Sequence, residues 1–469
     1  MNDGFMTLKT KAMSGNPVIS SAILLCLALM VRCVLLLEPQ IISNDSMFYI
    51  TMAKNVISGH IADMNTWGFF SIHPYLLAVM HRFIPDWELG GRIMSVLFGS
   101  IAVVPLYLLI SSILSRKIGF VTGLLYIFGP RIVEFSTDIL RESALWMFLL
   151  FALYLVFRAI SHKKSWYLVP AAICAGLAIG TKVEGFAIFP IATLWIGYAL
   201  FTGEIRYRRA LIYCGIFFLT IPVFFIVGST IVKPGLIYWA AGKFVQKFSV
   251  LLHTVPPIGP APALPQTIQN QVDLLQSYKY VIFPIEIIFK TLKSLTLVPV
   301  VLLMGGIFMR KKVPFSRKEV YLFIWIFVFF ITGLVYLRGT YYFGTRHGLL
   351  LGIPALSFAA IGLIELGERI IDFIQRFGLM QQLRQRIVVF TVVVCIILFG
   401  QTAFSLSRED KLDMKITGLE LRSRGYAATK MLVQPGLQRL AFYADANYEV
   451  LPERIAPKAI QTLMKESNS

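Results

Sequence analysis

Charge is scarce in this sequence: Asp, Glu, Lys and Arg make up 15% of its 469 residues, against 57% that are hydrophobic. A water-soluble shell cannot hide that much apolar surface, and a mean hydropathy of +0.72 makes lipid the solvent for most of the chain. Cysteine is nearly absent, and all five (Cys26, Cys33, Cys174, Cys214 and Cys395) lie inside apolar runs, where a thiol acts as a small hydrophobe. That leaves no disulfide framework and no zinc-ligand spacing. Also missing are a phosphate-binding glycine loop with Gly-Lys-Ser/Thr, a dinucleotide fingerprint and a zinc-protease helix motif, which speaks against a pump driven by its own nucleotide domain. No repeat of roughly 20 to 50 residues recurs and there is no low-complexity tract, which speaks against a solenoid.

What the sequence does have is a series of apolar runs near the length of about 20 helical residues that crosses a bilayer core. They are read at 18–37, 93–114, 118–131, 143–160, 166–181, 185–202, 210–230, 292–309, 320–337, 348–365 and 387–405, which makes about eleven spans by the length rule. The first is too long for a signal-peptide core and lacks a small-x-small cleavage site, so it is expected to stay as an anchor. The net charge of +19 raises nucleic acid as a partner, but the basic residues sit in short clusters between spans and no nucleic acid is expected. Those clusters are Lys9/Lys11, Arg116/Lys117, Arg158/Lys163/Lys164, Arg206/Arg208/Arg209, Arg310/Lys311/Lys312 with Arg317/Lys318, and Arg369 to Arg386, and they alternate with less basic loops. The positive-inside bias then puts the N-terminus in the cytoplasm, and an odd number of spans puts the C-terminus outside.

Three segments on the predicted outer side are too long for turns: 38–92, 231–291 and the tail 406–469. Long loops carry function or structure of their own. The second holds His253 close to Pro256, Pro257, Pro260, Pro262 and Pro265, a composition no continuous helix tolerates. The tail reads as a small soluble α/β appendage, with a helix-compatible stretch over Thr417 to Val433, then short strands at Leu440 to Tyr443 and Tyr448 to Val450. The expected division is a membrane domain over 1–405 and an appendage over 406–469.

Polar residues suited to chemistry gather at the predicted outer turns. Asp45 follows the first span directly, within reach of both a lipid headgroup and a soluble acceptor; the alternative is that it only N-caps the next helix. Between the third and fourth spans lie Arg131, Glu134, Asp138, Arg141 and Glu142, with Asp138 and Glu142 four residues apart and so on one helix face. Two carboxylates beside arginine can bind a divalent cation or a partner's amine, and acidic groups at membrane depth usually face a cavity; the alternative is an Asp138–Arg141 surface pair worth little. In Gly180-Thr181-Lys182-Val183-Glu184-Gly185, Lys182 can hold a phosphate, pair with Glu184 or snorkel to the interface. The stretch from Arg338 through Tyr342 to Arg346 and His347 puts positive charge on the outer side, against the orientation bias, which points to an anionic ligand. His73-Pro74-Tyr75 offers a polar contact or a metal ligand, and so does His253.

The order of these motifs resembles that of the GT-C glycosyltransferases, in particular the group containing protein O-mannosyltransferases and the aminoarabinose transferase of lipid A, over residues 18–365. Asp45, Tyr49, Ala53 and Gly59 match the acidic motif after that family's first helix, and His73-Pro74-Tyr75 a later proline-bearing segment. Asp138 and Glu142 look like its second acidic motif. Gly176 to Gly185 with Pro190 looks like its Gly-Leu...Lys/Arg-x-Glu-Gly segment, and Arg346 with Pro354 is similar to its Arg-Tyr...Pro segment. Two positions depart from the pattern: Ser46 stands where many members have a second acidic residue, and His347 where a tyrosine is usual.

The resemblance implies an all-α polytopic membrane protein of GT-C fold with amphipathic helices in its external loops. It implies an inverting transferase that moves a sugar from a polyprenyl-phosphate donor to a protein, lipid or glycan acceptor at the outer face of a bacterial or archaeal plasma membrane. In that reading Asp45 is the general base, and Lys182 and Arg346, with Arg338 behind them, meet the charge of the leaving phosphate. Tyr49, His73, Arg141, Glu184 and Tyr342 contact substrate, while Asp138 and Glu142 bind acceptor or cation. No cofactor is fixed by the sequence; a Mg²⁺, Mn²⁺ or Zn²⁺ ion has Asp138, Glu142 and His253 as candidate ligands. The rival readings are a lipid-linked-sugar flippase, which predicts paired repeats and broken midplane helices, and a noncatalytic assembly factor whose outer loops bind a partner.

Overall fold

The structure, a computed structural model, describes residues 16–38, 40–60, 71–231, 278–309, 316–340, 342–375, 393–394, 412–434 and 436–450. His253, the proline-bearing loop around it and most of the expected span at 387–405 lie outside the described residues.

The helix starts follow local rules. Asn16 caps α1 (Pro17–Leu36), accepting from the Val18 amide at 3.0 Å, and Pro17 takes the first helical position. Ser43 caps α2 (Asn44–Ile57), and α3 (His73–His81) opens at a proline. Asp86 caps α4 (Trp87–Ile101), which runs on into α5 (Val103–Ile113). Ser115 caps α6 (Arg116–Ile127); a 58° bend then leads into α7 (Pro130–Thr137). The chain continues through α8 (Arg141–Ser161), α9 (Leu168–Thr181), α10 (Ile188–Phe201) and α11 (Tyr207–Ile231). Helices α12 (Lys279–Leu295) and α13 (Leu297–Met309) meet at 113° across Thr296, whose φ of 66° belongs to no right-handed helix. A capping box of Ser316 and Glu319 introduces α14 (Val320–Thr340), and α15 (Thr345–Gln375) follows.

Among the described residues, seven helices are long and apolar enough to cross a membrane, or up to nine if each bent pair is one span. The protein is thus an integral, multi-pass membrane protein. The run expected to span at 166–181 is a shorter apolar helix, Ser165–Thr181. Part of the expected outer segment 231–291 is helical, since α12 begins at Lys279. Lys279, Glu286, Lys290 and Lys293 break its apolar run, and Glu286 pairs with Lys290 one turn on at 3.3 Å, so the helix is amphipathic and escapes a hydropathy count.

Helix α8 lies among α4, α5, α9 and α10. Its Leu153 carbonyl accepts from the buried Tyr321 hydroxyl at 2.8 Å, inside an aromatic cluster with Phe157 and Trp195; in hydrocarbon no water would satisfy that hydroxyl. Helices α13 and α15 cross at Gly306 and Gly362, where a Cβ on either would strike the other helix's backbone, at the carbonyls of Phe358 and Leu302. Small residues permit such close approach in lipid. Lys117 at the start of α6 pairs with Glu368 late in α15 at 3.7 Å, and His162 at the end of α8 lies near Lys318 at the entry to α14, so these basic clusters lie away from the first turns of α8 and α15. Helix α1 ends, and α8 and α15 begin, at the opposite end of the bundle.

The described part of the tail contains α16 (Leu412–Leu421), β1 (Lys430–Val433), α17 (Gln438–Tyr443) and β2 (Asn447–Val450). The strands pair in parallel, Lys430 opposite Asn447 and Val433 opposite Val450. Tyr448 to Val450 is strand as expected, but Lys430 to Val433 is strand rather than helix and Leu440 to Tyr443 is helix rather than strand. The reason lies outside the segment: Arg439 and Tyr443 both bond Ile42. A helix holds side chains four residues apart at about 6 Å, whereas a strand would separate them by about 13 Å.

Candidate active site

Where α1 ends, charged side chains from four elements form one continuous row. Arg346, in the first turn of α15, donates from Nη1 to Asp45 Oδ2, in the first turn of α2. Arg346 Nε lies 3.9 Å from Glu142 Oε1, in the first turn of α8, and that oxygen accepts from Lys182 Nζ at 3.1 Å. Lys182 Nζ is 3.1 Å from Glu184 Oε1, which is 3.4 Å from His347 Nε2. Solvent access falls along the row: the side chains of Asp45 and Arg346 are 44% and 31% exposed, those of Lys182 and Glu142 6% and 2%. The row therefore has a wet rim and a dry floor.

Local sequence explains how the floor is built. The Lys182 amide bonds the Ala178 carbonyl at 3.0 Å, and the chain then turns through a short 3₁₀ segment, Val183–Ala187. A Cβ at Gly185 would lie 2.5 Å from Ala178 C and Ile179 N, so only glycine lets this turn fold back on α9. The Ile72 amide donates to the Gly180 carbonyl at 2.8 Å and Ser71 Oγ to the Thr181 carbonyl at 2.9 Å, stitching the start of α3 to the end of α9. That buries His73 edge-on against Tyr49, ring centroids 5.1 Å apart, with the Arg141 guanidinium 5.4 Å over the Tyr49 ring. Among the described residues neither His73 ring nitrogen has a hydrogen-bond partner. Burial first, then the charge of Arg141, holds the His73 imidazolium down at about 3, with Glu142 opposing, so the ring is neutral. Burial likewise pushes the Tyr49 hydroxyl up, with Arg141 opposing.

Two expectations need correction. Asp45 is not the N-cap of α2: Ser43 Oγ accepts from the Ser46 amide at 3.2 Å, which frees the Asp45 carboxylate for Arg346. Asp138 does not share a helix face with Glu142, because α7 ends at Thr137, Asp138 is extended (φ −100°, ψ 162°) and α8 begins at Arg141. The Asp138 carboxylate instead accepts from the Ile139 amide at 2.8 Å and Ser46 Oγ at 2.7 Å, a local bond that competes with helix continuation. Two of the three candidate metal ligands are thus engaged separately, the third, His253, lies outside the described residues, and among the described residues no group of three His, Cys, Asp or Glu side chains could hold a metal ion. Arg338 sits in the last turn of α14, outside the row, and Tyr342 is exposed with its ring 6.4 Å from that of His347. Arg131 pairs with Glu134 at 2.6 Å within α7.

Three further residues shape this region, and two of them, Arg32 and Arg92, have no role expected from the sequence. His347 closes the inner end of the row, and its Nδ1 accepts from the Gly344 amide at 3.2 Å. Arg32, inside the first apolar run and fully buried, donates to Ser136 Oγ at 2.8 Å and the Ala28 carbonyl at 3.3 Å. Arg92 donates to the carbonyls of Thr137 at 3.1 Å and Leu35 at 3.3 Å. Arg92 meets the carboxyl ends of both α1 and α7, where the helix dipole favours a cation, and Arg32 ties the last turn of α7 to α1 just before Asp138. An arginine within an apolar run is itself the detectable signal.

The architecture is the GT-C fold of membrane glycosyltransferases. The model of the dolichyl-phosphate-mannose-protein mannosyltransferase family matches residues 71–228. ArnT from Cupriavidus metallidurans bound to undecaprenyl phosphate superposes with a TM-score of 0.58 at 12% identity, over 96% of this chain and 88% of that one. The oligosaccharyltransferase AglB from Archaeoglobus fulgidus, solved with an inhibitory peptide and a dolichol-phosphate, gives a TM-score of 0.53 at 14% identity over 94% of this chain. A structure of the oligosaccharyltransferase of that organism with Zn and sulfate gives 0.51 at 13% over 93%. The chain spans 60% and 58% of those two chains. At such identities the likeness is one of fold. No curated protein matches the chain by sequence.

Proposed function

We propose that the protein transfers a sugar from a polyprenyl-phosphate donor to a hydroxyl or amine of a protein, lipid or glycan acceptor, in one displacement with inversion. The observation that carries this reading is the pairing of Asp45 with Arg346 at the open end of a row of buried ion pairs. Asp45 takes the acceptor's proton as the acceptor's lone pair forms the new bond to the anomeric carbon. The bond from that carbon to the phosphate oxygen breaks, and the electron pair leaves with the lipid phosphate. Arg346, still one-third exposed, meets that charge. Lys182, enclosed by Glu142 and Glu184, holds Glu142 and thereby orients Arg346. His73, fully buried and neutral, backs the Tyr49 ring behind the row.

The fold supports this reading, because two of the solved structures that share it hold undecaprenyl phosphate or dolichol-phosphate. The basic clusters away from the row, toward the far ends of α8 and α15, support an external site. Within the row three carboxylates (Asp45, Glu142 and Glu184) face Lys182 and Arg346, and the Arg141 guanidinium over Tyr49 is near enough to act on both glutamates, so three positive charges balance three negative ones. A divalent cation of the kind held by the Zn-bound oligosaccharyltransferase would have to displace Arg346 from Asp45. The test is a transfer assay with purified protein in lipid, offering several polyprenyl-phosphate sugars and membrane extracts as acceptors. Transfer by the native protein, lost in Asp45→Asn with donor binding kept, is the expected result. Movement of lipid-linked sugar across vesicles without transfer would instead favour a flippase, for which the two bent helix pairs are the supporting feature.

A further inference from the structure

Residues 40–43 join α1 to α2 with no helix or strand of their own, and Asp45 follows two positions later. The appendage takes both backbone polar groups of the buried Ile42. The Ile42 amide donates to the Tyr443 hydroxyl at 3.2 Å, and the Ile42 carbonyl accepts from Arg439 Nη1 at 3.3 Å. Arg439 and Tyr443 are themselves buried. Lys415, on α16, reaches the Gln40 carbonyl at 3.4 Å and Glu88 at 2.8 Å, while Arg92 holds the Gln40 side chain from the membrane side at 3.4 Å. Farther along α2, Lys54 lies 3.5 Å from Asp445, and the Tyr448 hydroxyl 3.9 Å from Met47 Sδ. On the inner face, Ser46 ties the same helix to Asp138.

An appendage that only bound a partner would have no need to commit a buried arginine and a buried tyrosine to the backbone of one residue of the strap that delivers Asp45. Loss of either bond leaves a buried backbone group unsatisfied, which costs more than an ordinary hydrogen bond is worth. We propose that Arg439 and Tyr443 are positioning residues: they clamp Ile42 and so fix the first turn of α2, holding Asp45 against Arg346. The effect on rate rests on the transferase reading above, since a displacement of about 1 Å at a reacting group can cost about a hundredfold in rate.

The test uses the full chain in lipid and two readouts, hydrogen exchange over residues 40–47 and steady-state transfer. Tyr443→Phe, which removes one oxygen, and Arg439→Gln are compared with Arg424→Gln, an exposed residue whose partner Glu420 lies four positions back. Expected in the first two are exchange over 40–47 faster by about tenfold, kcat lower by about tenfold to a hundredfold and donor KM within about twofold, with partial recovery in Arg439→Lys. The control stays at native values. Unchanged exchange in Tyr443→Phe would overturn the clamp, and faster exchange with native kcat would overturn the positioning role. If the native protein transfers no sugar from any donor while the exchange contrast persists, the clamp stands and the transferase reading falls. Should Arg439→Gln fail to fold, Tyr443→Phe alone decides.

Discussion

Asp45–Arg346 and Glu142–Lys182 are both carboxylate–cation pairs, and Arg346 links one to the other. Their surroundings separate them. The outer pair keeps 31% (Arg346) and 44% (Asp45) of its side chains in contact with solvent, whereas the inner pair is almost fully enclosed. In water-like surroundings an ion pair contributes little to stability and its members are free to change partners. In a dry surrounding the same pair holds tightly, and removal of one member strands a charge. The contrast teaches that position along the row, more than residue type, sets which carboxylate is available for chemistry and which is part of the frame.

The sharpest way to break that comparison is to neutralise one member at each end. Asp45→Asn should keep the native unfolding temperature to within the small effect of an exposed pair and lower turnover by about 10² to 10⁴-fold, measured by transfer kinetics beside thermal unfolding in detergent. Lys182→Met should do the reverse in kind, destabilising the protein by about 3–5 kcal/mol, read as lost yield or a lowered unfolding temperature; a stable Lys182→Met protein would erase the distinction. Arg346→Lys keeps the charge but loses the fork that spans Asp45 and Glu142, and should lower kcat by about tenfold with little change in stability. Acid sharpens the picture further in. His73 is held at about 3 when folded against 6.5 unfolded, so unfolding takes up a proton anywhere between those values. Its contribution to stability is therefore whole above 6.5, declines as pH falls and declines no further below about 3. Between about pH 6.5 and about pH 5 the loss comes to about 2 kcal/mol, and His73→Gln should flatten that slope in thermal unfolding against pH. The smallest effect is expected from a chelator, which should leave transfer within about twofold if the balanced row needs no metal ion.

Much of this arrangement could be read before folding. The apolar runs and the caps Asn16, Asp86 and Ser115 mark helix starts by local chemistry, and the unusual charges Asp45, Glu142, Lys182 and Arg346 do come together. What stayed hidden depends on distant partners. Ser43 rather than Asp45 caps α2, since either fits the local pattern and the choice is decided by Arg346 from 301 residues away. The four-residue spacing of Asp138 and Glu142 implies a helix face, but Ser46 and the Ile139 amide hold Asp138 in an extended turn. Leu440 to Tyr443 reads as strand until Ile42 supplies the contact that demands a helix. Helix α12 escaped because its four charged residues dilute an apolar face that only three-dimensional packing makes visible.

The inner end of the row has a consequence for where the reaction's proton can go. His347 Nδ1 accepts from the Gly344 amide, so the neutral imidazole must carry its hydrogen on Nε2, opposite Glu184. A ring locked in that tautomer has no free lone pair to collect a proton from the floor and pass it on, which makes the inner end of the row a blind alley for proton relay. Discharge to bulk solvent then runs from the half-exposed Asp45, and replacing protium by deuterium should slow turnover through an exchangeable site on that outward side.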